Sequence, residues 1–119
     1  MLAGVSDLIE LRDRMREFTA ERDWEKFHDP KSLILALTGE VGELAELFQW
    51  LPADEAVRRA AAEPLRTRVG EELADVLVYL VRLADVLDVD LVGAARDKIA
   101  AAARRYPAGM HHGDAPLKG

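Results

Sequence analysis

Leu33-Ile-Leu-Ala-Leu-Thr-Gly-Glu-Val-Gly-Glu-Leu-Ala-Glu-Leu-Phe-Gln-Trp50 is the stretch from which the rest of the chain is read. Leu33, Ile34, Leu37, Val41, Leu44, Ala45 and Phe48 recur at steps of three and four, the period of an amphipathic helix. Asp29-Pro30 stands just upstream: a capping carboxylate, then a proline at the first helical position. Pro52 stops the helix, so the spacing predicts one from 30 to about Trp50. Glu40 and Glu43 lie three apart within it and share one face. Their neighbours Leu37, Val41 and Leu44 put that face beside the apolar stripe, not opposite it.

The pattern returns in Glu71-Glu-Leu-Ala-Asp-Val-Leu-Val-Tyr-Leu-Val81. Here Glu72 and Asp75 form the pair, among Val69, Leu73, Val76 and Leu77. A helix is expected from about Glu63-Pro64 to Leu87, with Leu65, Val69, Leu73, Val76, Leu77, Leu80 and Val81 as its buried face. Gly70 weakens its interior unless packing requires a small residue there. Packing the two helices brings four carboxylates close together. Like charges at that distance repel and raise one another's pKa values. A divalent cation removes the conflict, and oxygen-only ligands favour Mg²⁺ first and Mn²⁺ second. One such pair alone reads as solvated surface acids. Two pairs flush with the apolar stripes of neighbouring helices read as a metal site. Glu46 is one further step along the same face and stays open between the two readings; Glu71 points elsewhere and reads as surface. A di-iron bundle would need Glu-x-x-His on two helices, and neither pair contains histidine.

Outward from these helices, Leu8, Leu11, Met15 and Phe18 mark a first helix from about Ser6 to Arg22, capped by Ser6 or Asp7. A connector from 23 to 29 carries Trp24, Phe27 and His28. Residues 53 to 62 read as a short helix or a helical loop. Asp88 or Asp90 caps the last long helix, which ends before Pro107. The expected fold is all-α, an antiparallel four-helix bundle-like domain over residues 1–107 with a loose tail over 108–119.

Composition agrees. A chain of 119 residues suits one domain with a modest core. Its apolar half is mostly Ala, Leu and Val, with only 6% aromatic residues, a helical composition. The net charge of −6 argues against a nucleic-acid partner. An acidic protein still meets a polyanion when metal ions stand between them. With no cysteine there are no disulfides, thiolate sites or thiol nucleophiles, which is compatible with the cytosol. Met1 to Ser6 lacks a basic region followed by an apolar run, so no signal peptide is expected. No apolar run approaches the length of a membrane span, and no membrane partner is expected.

These two segments, together with Glu21-Arg-Asp-Trp-Glu-Lys-Phe-His28, closely resemble the MazG-like all-α nucleoside triphosphate pyrophosphohydrolases, and within them the dCTP pyrophosphatase branch. The likeness runs from the first helix to Tyr106-Pro107. Its acidic motif is ExxE, a gap, then ExxD; the gap here is residues 44 to 71. The resemblance implies cleavage of a nucleoside triphosphate, dCTP or a modified dCTP, to the monophosphate and pyrophosphate. It implies Mg²⁺ on Glu40, Glu43, Glu72 and Asp75, a base pocket near Trp24, Trp50 and Tyr79, and phosphate contacts from Lys98 and Arg105. It also implies a homodimer or homotetramer. One departure is Ala102, where the family often has asparagine, which would alter base or sugar preference.

With the substrate that the resemblance implies, the residues allow a mechanism. A triphosphate brings about four negative charges to an acidic pocket, so cations must mediate the contact. Activated water would attack the α-phosphorus in line, with Glu40 or Glu43 accepting the proton. Lys98 and Arg105 would add positive charge near the leaving pyrophosphate. Trp24 and Trp50 flank the acidic helix at its two ends, where an aromatic ring can stack on a base, although aromatics more often pack in a core. Tyr79 follows Asp75 by one turn and either touches the nucleoside or packs. His28 reads equally as a site residue and as an exposed loop histidine. Arg104 suits a helix C-terminus, and His111-His112 reads as a chance pair in the tail. A non-catalytic nucleotide-binding or interaction module, and a nucleotidase acting on monophosphates or oligonucleotides, are the competing functions.

Overall fold

The computed structural model describes residues 5–115, and every described element is helical. Four long helices, α1 (Val5–Glu21), α2 (Pro30–Phe48), α4 (Leu65–Val86) and α5 (Leu91–Arg105), are joined by short connections. Two short helices, α3 (Ala56–Ala60) and α6 (Ala108–His111), lie between and after them. The chain divides into two compact units, one running to Asp88 and the other starting at Val89.

In the first unit α4 is the organising helix: α2, α1 and α3 all pack against it. The caps explain the boundaries. Asp29 sits in extended conformation, and its carboxylate accepts the Ser32 backbone N–H at 2.9 Å and the Ser32 hydroxyl at 2.7 Å. One orphan donor of the first turn is thereby satisfied. Helix α1 already includes Val5, so Ser6 and Asp7, expected ahead of the helix, lie within it. The segment read as lacking a leader falls largely on residues 1–4, outside the described residues. The stretch expected between helix or loop at 53–62 contains the single turn and a half of α3.

The second unit is α5 with α6. Asp90, not Asp88, caps α5, accepting the Gly93 N–H at 3.0 Å. Asp88 instead takes a left-handed φ of 54° in the turn, a conformation that Asp tolerates better than most residues. The segment read as a loose tail from 108 begins with the helical turn α6, where His111 packs edge-on against Tyr106 at 5.4 Å. The end of that segment, 116–119, lies outside the described residues.

The core of the single chain is small. Among the described residues, Leu33, Val81 and Ala84 are the buried apolar ones, joined by the polar Thr19 and Arg82. Several positions read as buried stripe lie open instead. Ile34 and Val41 on α2 are exposed, as are Leu73, Leu77 and Leu80 on α4. Although α1, α2 and α3 all pack against α4, its 73-77-80 stripe is left exposed. No described helix is long and apolar enough to cross a membrane.

Candidate metal and nucleotide site

Glu40 and Glu43 leave α2 one turn apart, and Glu72 leaves α4 where the two helices pack. One carboxylate oxygen from each lies within 4.8 Å of the others. Glu40 and Glu72 are half-buried, while Glu43 is exposed. Each of the two half-buried carboxylates keeps one oxygen, Oε2, out of water with no hydrogen-bond donor. That is the costly state for an anion. Burial and the neighbouring Glu43 push Glu40 up to about 7, with the charge of Asp75 and contact with Glu72 adding to the effect. Glu72 is also raised, chiefly by burial, with Glu43 and Asp75 contributing. Asp75 is exposed and stands outside the close trio, yet its charge is felt by both. Orphaned carboxylate oxygens, an all-oxygen donor set and mutual repulsion fit a hard divalent cation.

The remaining expected site residues fall into four groups. Tyr79 is half-buried on α4, one turn beyond Asp75. Trp24 and His28 belong to the connector between α1 and α2, which forms a 3-10 turn over Glu25–Phe27. Trp24 is 44% exposed and meets the edge of Phe18 at 5.6 Å. Trp50, just past the end of α2, is 85% exposed. Lys98 and Arg105 are exposed on α5 in the second unit, where the Arg105 guanidinium lies 5.2 Å from the Tyr106 ring centre. Glu46 and Glu71 are exposed.

A polar network not foreseen from the sequence lies at the other end of α4. Arg82, 7% exposed, donates Nε–H to His28 Nδ1 at 3.0 Å and a second N–H to Asp85 Oδ2 at 3.2 Å. Asp85 also accepts a forked pair from Arg16 of α1, one arm at 2.8 Å. The Arg16 fork holds the Asp85 carboxyl below its ordinary range despite burial. Burial, with the Arg82 charge, lowers His28. The sequence signal was an Arg-x-x-Asp pair set among Val81, Leu83 and Ala84, charges in an apolar run.

Residues 36–115 match the model of the MazG-like family. The chain belongs to the MazG-like family. Among curated relatives, dCTP pyrophosphatase 1 of Bos taurus is 50% identical over 108 residues, covering 91% of this chain and 64% of the bovine protein. The Homo sapiens dCTP pyrophosphatase 1 is 52% identical over 101 residues, covering 85% of this chain and 59% of that one. The chain thus spans less than two thirds of the length of these relatives. The crystal structure of a pyrophosphatase from Archaeoglobus fulgidus DSM 4304 superposes with a TM-score of 0.79 at 37% identity, covering 90% of this chain and 98% of that one. The all-helical fold expected from the two acidic helices is the fold of this family.

Proposed function

We propose that this MazG-like chain hydrolyses a nucleoside triphosphate, dCTP or a modified dCTP, to the monophosphate and pyrophosphate. The observation that carries the reading is the carboxylate trio of Glu40, Glu43 and Glu72, with its two buried, unpartnered oxygens. The names of the relatives support the reaction and the base. Glu40, Glu43, Glu72 and Asp75 would hold Mg²⁺, or Mn²⁺ in its place. Such a cation offsets phosphate charge and acidifies water. Glu40 or Glu43 takes the proton from the water that attacks the α-phosphorus. Trp24, Trp50 and Tyr79 are the proposed base and sugar contacts. Lys98 and Arg105 are proposed phosphate contacts on their charge and the family resemblance. Nucleic acid and membrane are not among the proposed partners, and the cysteine-free sequence suits a cytosolic place of work.

The working form is proposed to be a homodimer or homotetramer. The support is the uncovered stripe of Leu73, Leu77 and Leu80 on α4, with Ile34, Leu35 and Val41 exposed on α2. Sedimentation equilibrium of the wild type and of Leu77→Lys tests this, with a shift towards monomer expected in the variant.

The reaction is tested by incubating the protein with dCTP and Mg²⁺ and measuring phosphate with and without added inorganic pyrophosphatase. Phosphate only after pyrophosphatase treatment is the expected result. Phosphate released directly, or no turnover with either Mg²⁺ or Mn²⁺, overturns it.

A further inference from the structure

The connector that carries Trp24 is fastened at its start to α1 and at its end to α4, and one turn of α4 bonds to both anchors. At its start, the Trp24 backbone N–H donates to the Thr19 carbonyl at 2.9 Å. Thr19 is fully buried, and its hydroxyl donates to the Met15 carbonyl at 2.8 Å. The same stretch of α1 is clamped by the Arg16 fork on Asp85. At the connector's end, His28 accepts from Arg82. Arg82 and Asp85 are three residues apart on α4 and joined to each other, so a single ion pair holds both ends. Between them the 3-10 turn closes through Phe27 N–H to the Trp24 carbonyl at 2.9 Å and His28 N–H to the Glu25 carbonyl at 3.0 Å.

A buried guanidinium is a costly way to join two helices. Apolar residues of similar volume commonly do as well or better, whereas losing one partner of a buried pair is strongly destabilising. What a fork supplies that an apolar side chain cannot is direction. Because Arg82 always carries its protons, His28 Nδ1 must be the acceptor, and the neutral ring keeps its proton on Nε2. The imidazole is thereby fixed in tautomer and in orientation, and with it the backbone of the turn that ends at His28.

We propose that Arg82 is a positioning residue: acting through His28, it holds the 24–28 segment in the place from which Trp24 meets the base of a nucleoside triphosphate. The proposal rests on the functional reading above for what Trp24 meets, but not for the tie itself. Arg82 touches no reacting atom, and its loss is felt in substrate binding more than in turnover. The groups facing His28 set its pH response. Arg82 from α4 opposes protonation, and Glu25 of the turn favours it. Protonation of Nδ1 would place a donor against a donor and break the tie.

Two measurements test this on the full chain. In a Trp50→Phe background, Trp24 is the sole tryptophan, and its emission reports the segment without nucleotide. Arg82→Met is expected to shift that emission and to raise the His28 titration seen by NMR. With dCTP and Mg²⁺, Arg82→Met should raise KM about tenfold while kcat stays within about twofold. Because Arg82→Met risks misfolding, a second pair isolates the contact. His28→Asn keeps a carbonyl acceptor for the Arg82 N–H and should hold KM within about threefold, whereas His28→Phe removes the acceptor and should raise KM about tenfold. Equal KM values in the Asn and Phe variants overturn the proposal, as does an unmoved Trp24 emission in folded Arg82→Met. A fall in kcat alone overturns it too. A wild-type chain that turns over no nucleotide, with the emission response intact, sinks the functional reading and leaves the tie standing.

Discussion

Glu40 of α2 and Glu72 of α4 meet where the two helices pack, and each holds one buried carboxylate oxygen that no donor reaches. Without a cation this contact works against the fold, because two part-buried anions repel and each keeps one oxygen out of water with no donor. Neutralising one of them should therefore do opposite things to stability and to function. Glu72→Gln is expected to melt no lower than wild type at pH 8 in EDTA, and to lose the rise in melting temperature that Mg²⁺ gives the wild type. Scanning calorimetry with EDTA and with Mg²⁺ checks both halves. Glu43→Gln, at the exposed member of the trio, should keep the fold and lose turnover by about 10²–10⁴-fold if Glu43 receives the proton.

The benefit of the cation should grow with pH. Glu40 binds its proton in the folded chain up to about 7 and in the unfolded chain only near the ordinary carboxylate value. Between those limits the native state holds more protons, so this group's contribution to stability falls as pH rises. Mg²⁺ must displace that proton at low pH and meets a ready carboxylate at high pH. The increase in melting temperature caused by Mg²⁺ should thus be larger at pH 8 than at pH 5.5. His28 has the opposite sign: its folded pKa is depressed, so its contribution is full above its unfolded value and is lost as pH falls below it. Comparing melts with and without Mg²⁺ at each pH cancels the His28 effect.

Asp29 makes two hydrogen bonds to Ser32 at the start of α2, and these bonds hold its carboxyl below the usual range. Asp29→Ala removes the cap and should cost about 1 kcal/mol, read as a lower urea midpoint with an unchanged m-value. Asp29→Ser should recover most of the loss.

Gly70 lies in the interior of α4, and a Cβ built there meets nothing within 4 Å. Gly70→Ala should stabilise the isolated chain by roughly 0.5–1 kcal/mol, since it removes backbone freedom from the unfolded state only. A loss of stability, or a change in sedimentation, would show instead that another chain lies close against this part of α4.

The two acidic helices were legible because their signals are local. Asp29-Pro30 marks a start, Pro52 an end, and the apolar spacing fixes which face the carboxylates share. The convergence of Glu40, Glu43 and Glu72 follows once those faces pack. The Arg82–His28 contact was not legible, because it joins residues 54 apart in the chain, and nothing at either position names the other. The buried stripe was read correctly for Leu33 and Val81 but not for Leu73, Leu77 or Leu80. Periodicity reports that a face is apolar, not whether its cover comes from the same molecule.

Glu72 and Arg82 stand on one unbroken helix, separated by about 15 Å of axial rise. A helix of this length is stiff along its axis, so the two stations cannot drift independently. Whatever seats the acidic end of α4 also sets the height at which its other end presents the fork to His28. The helix acts as a ruler, and an insertion or deletion of one residue between 72 and 82 would throw the two ends about 100° out of phase. Length between those positions is therefore constrained as firmly as the identity of the residues at either end.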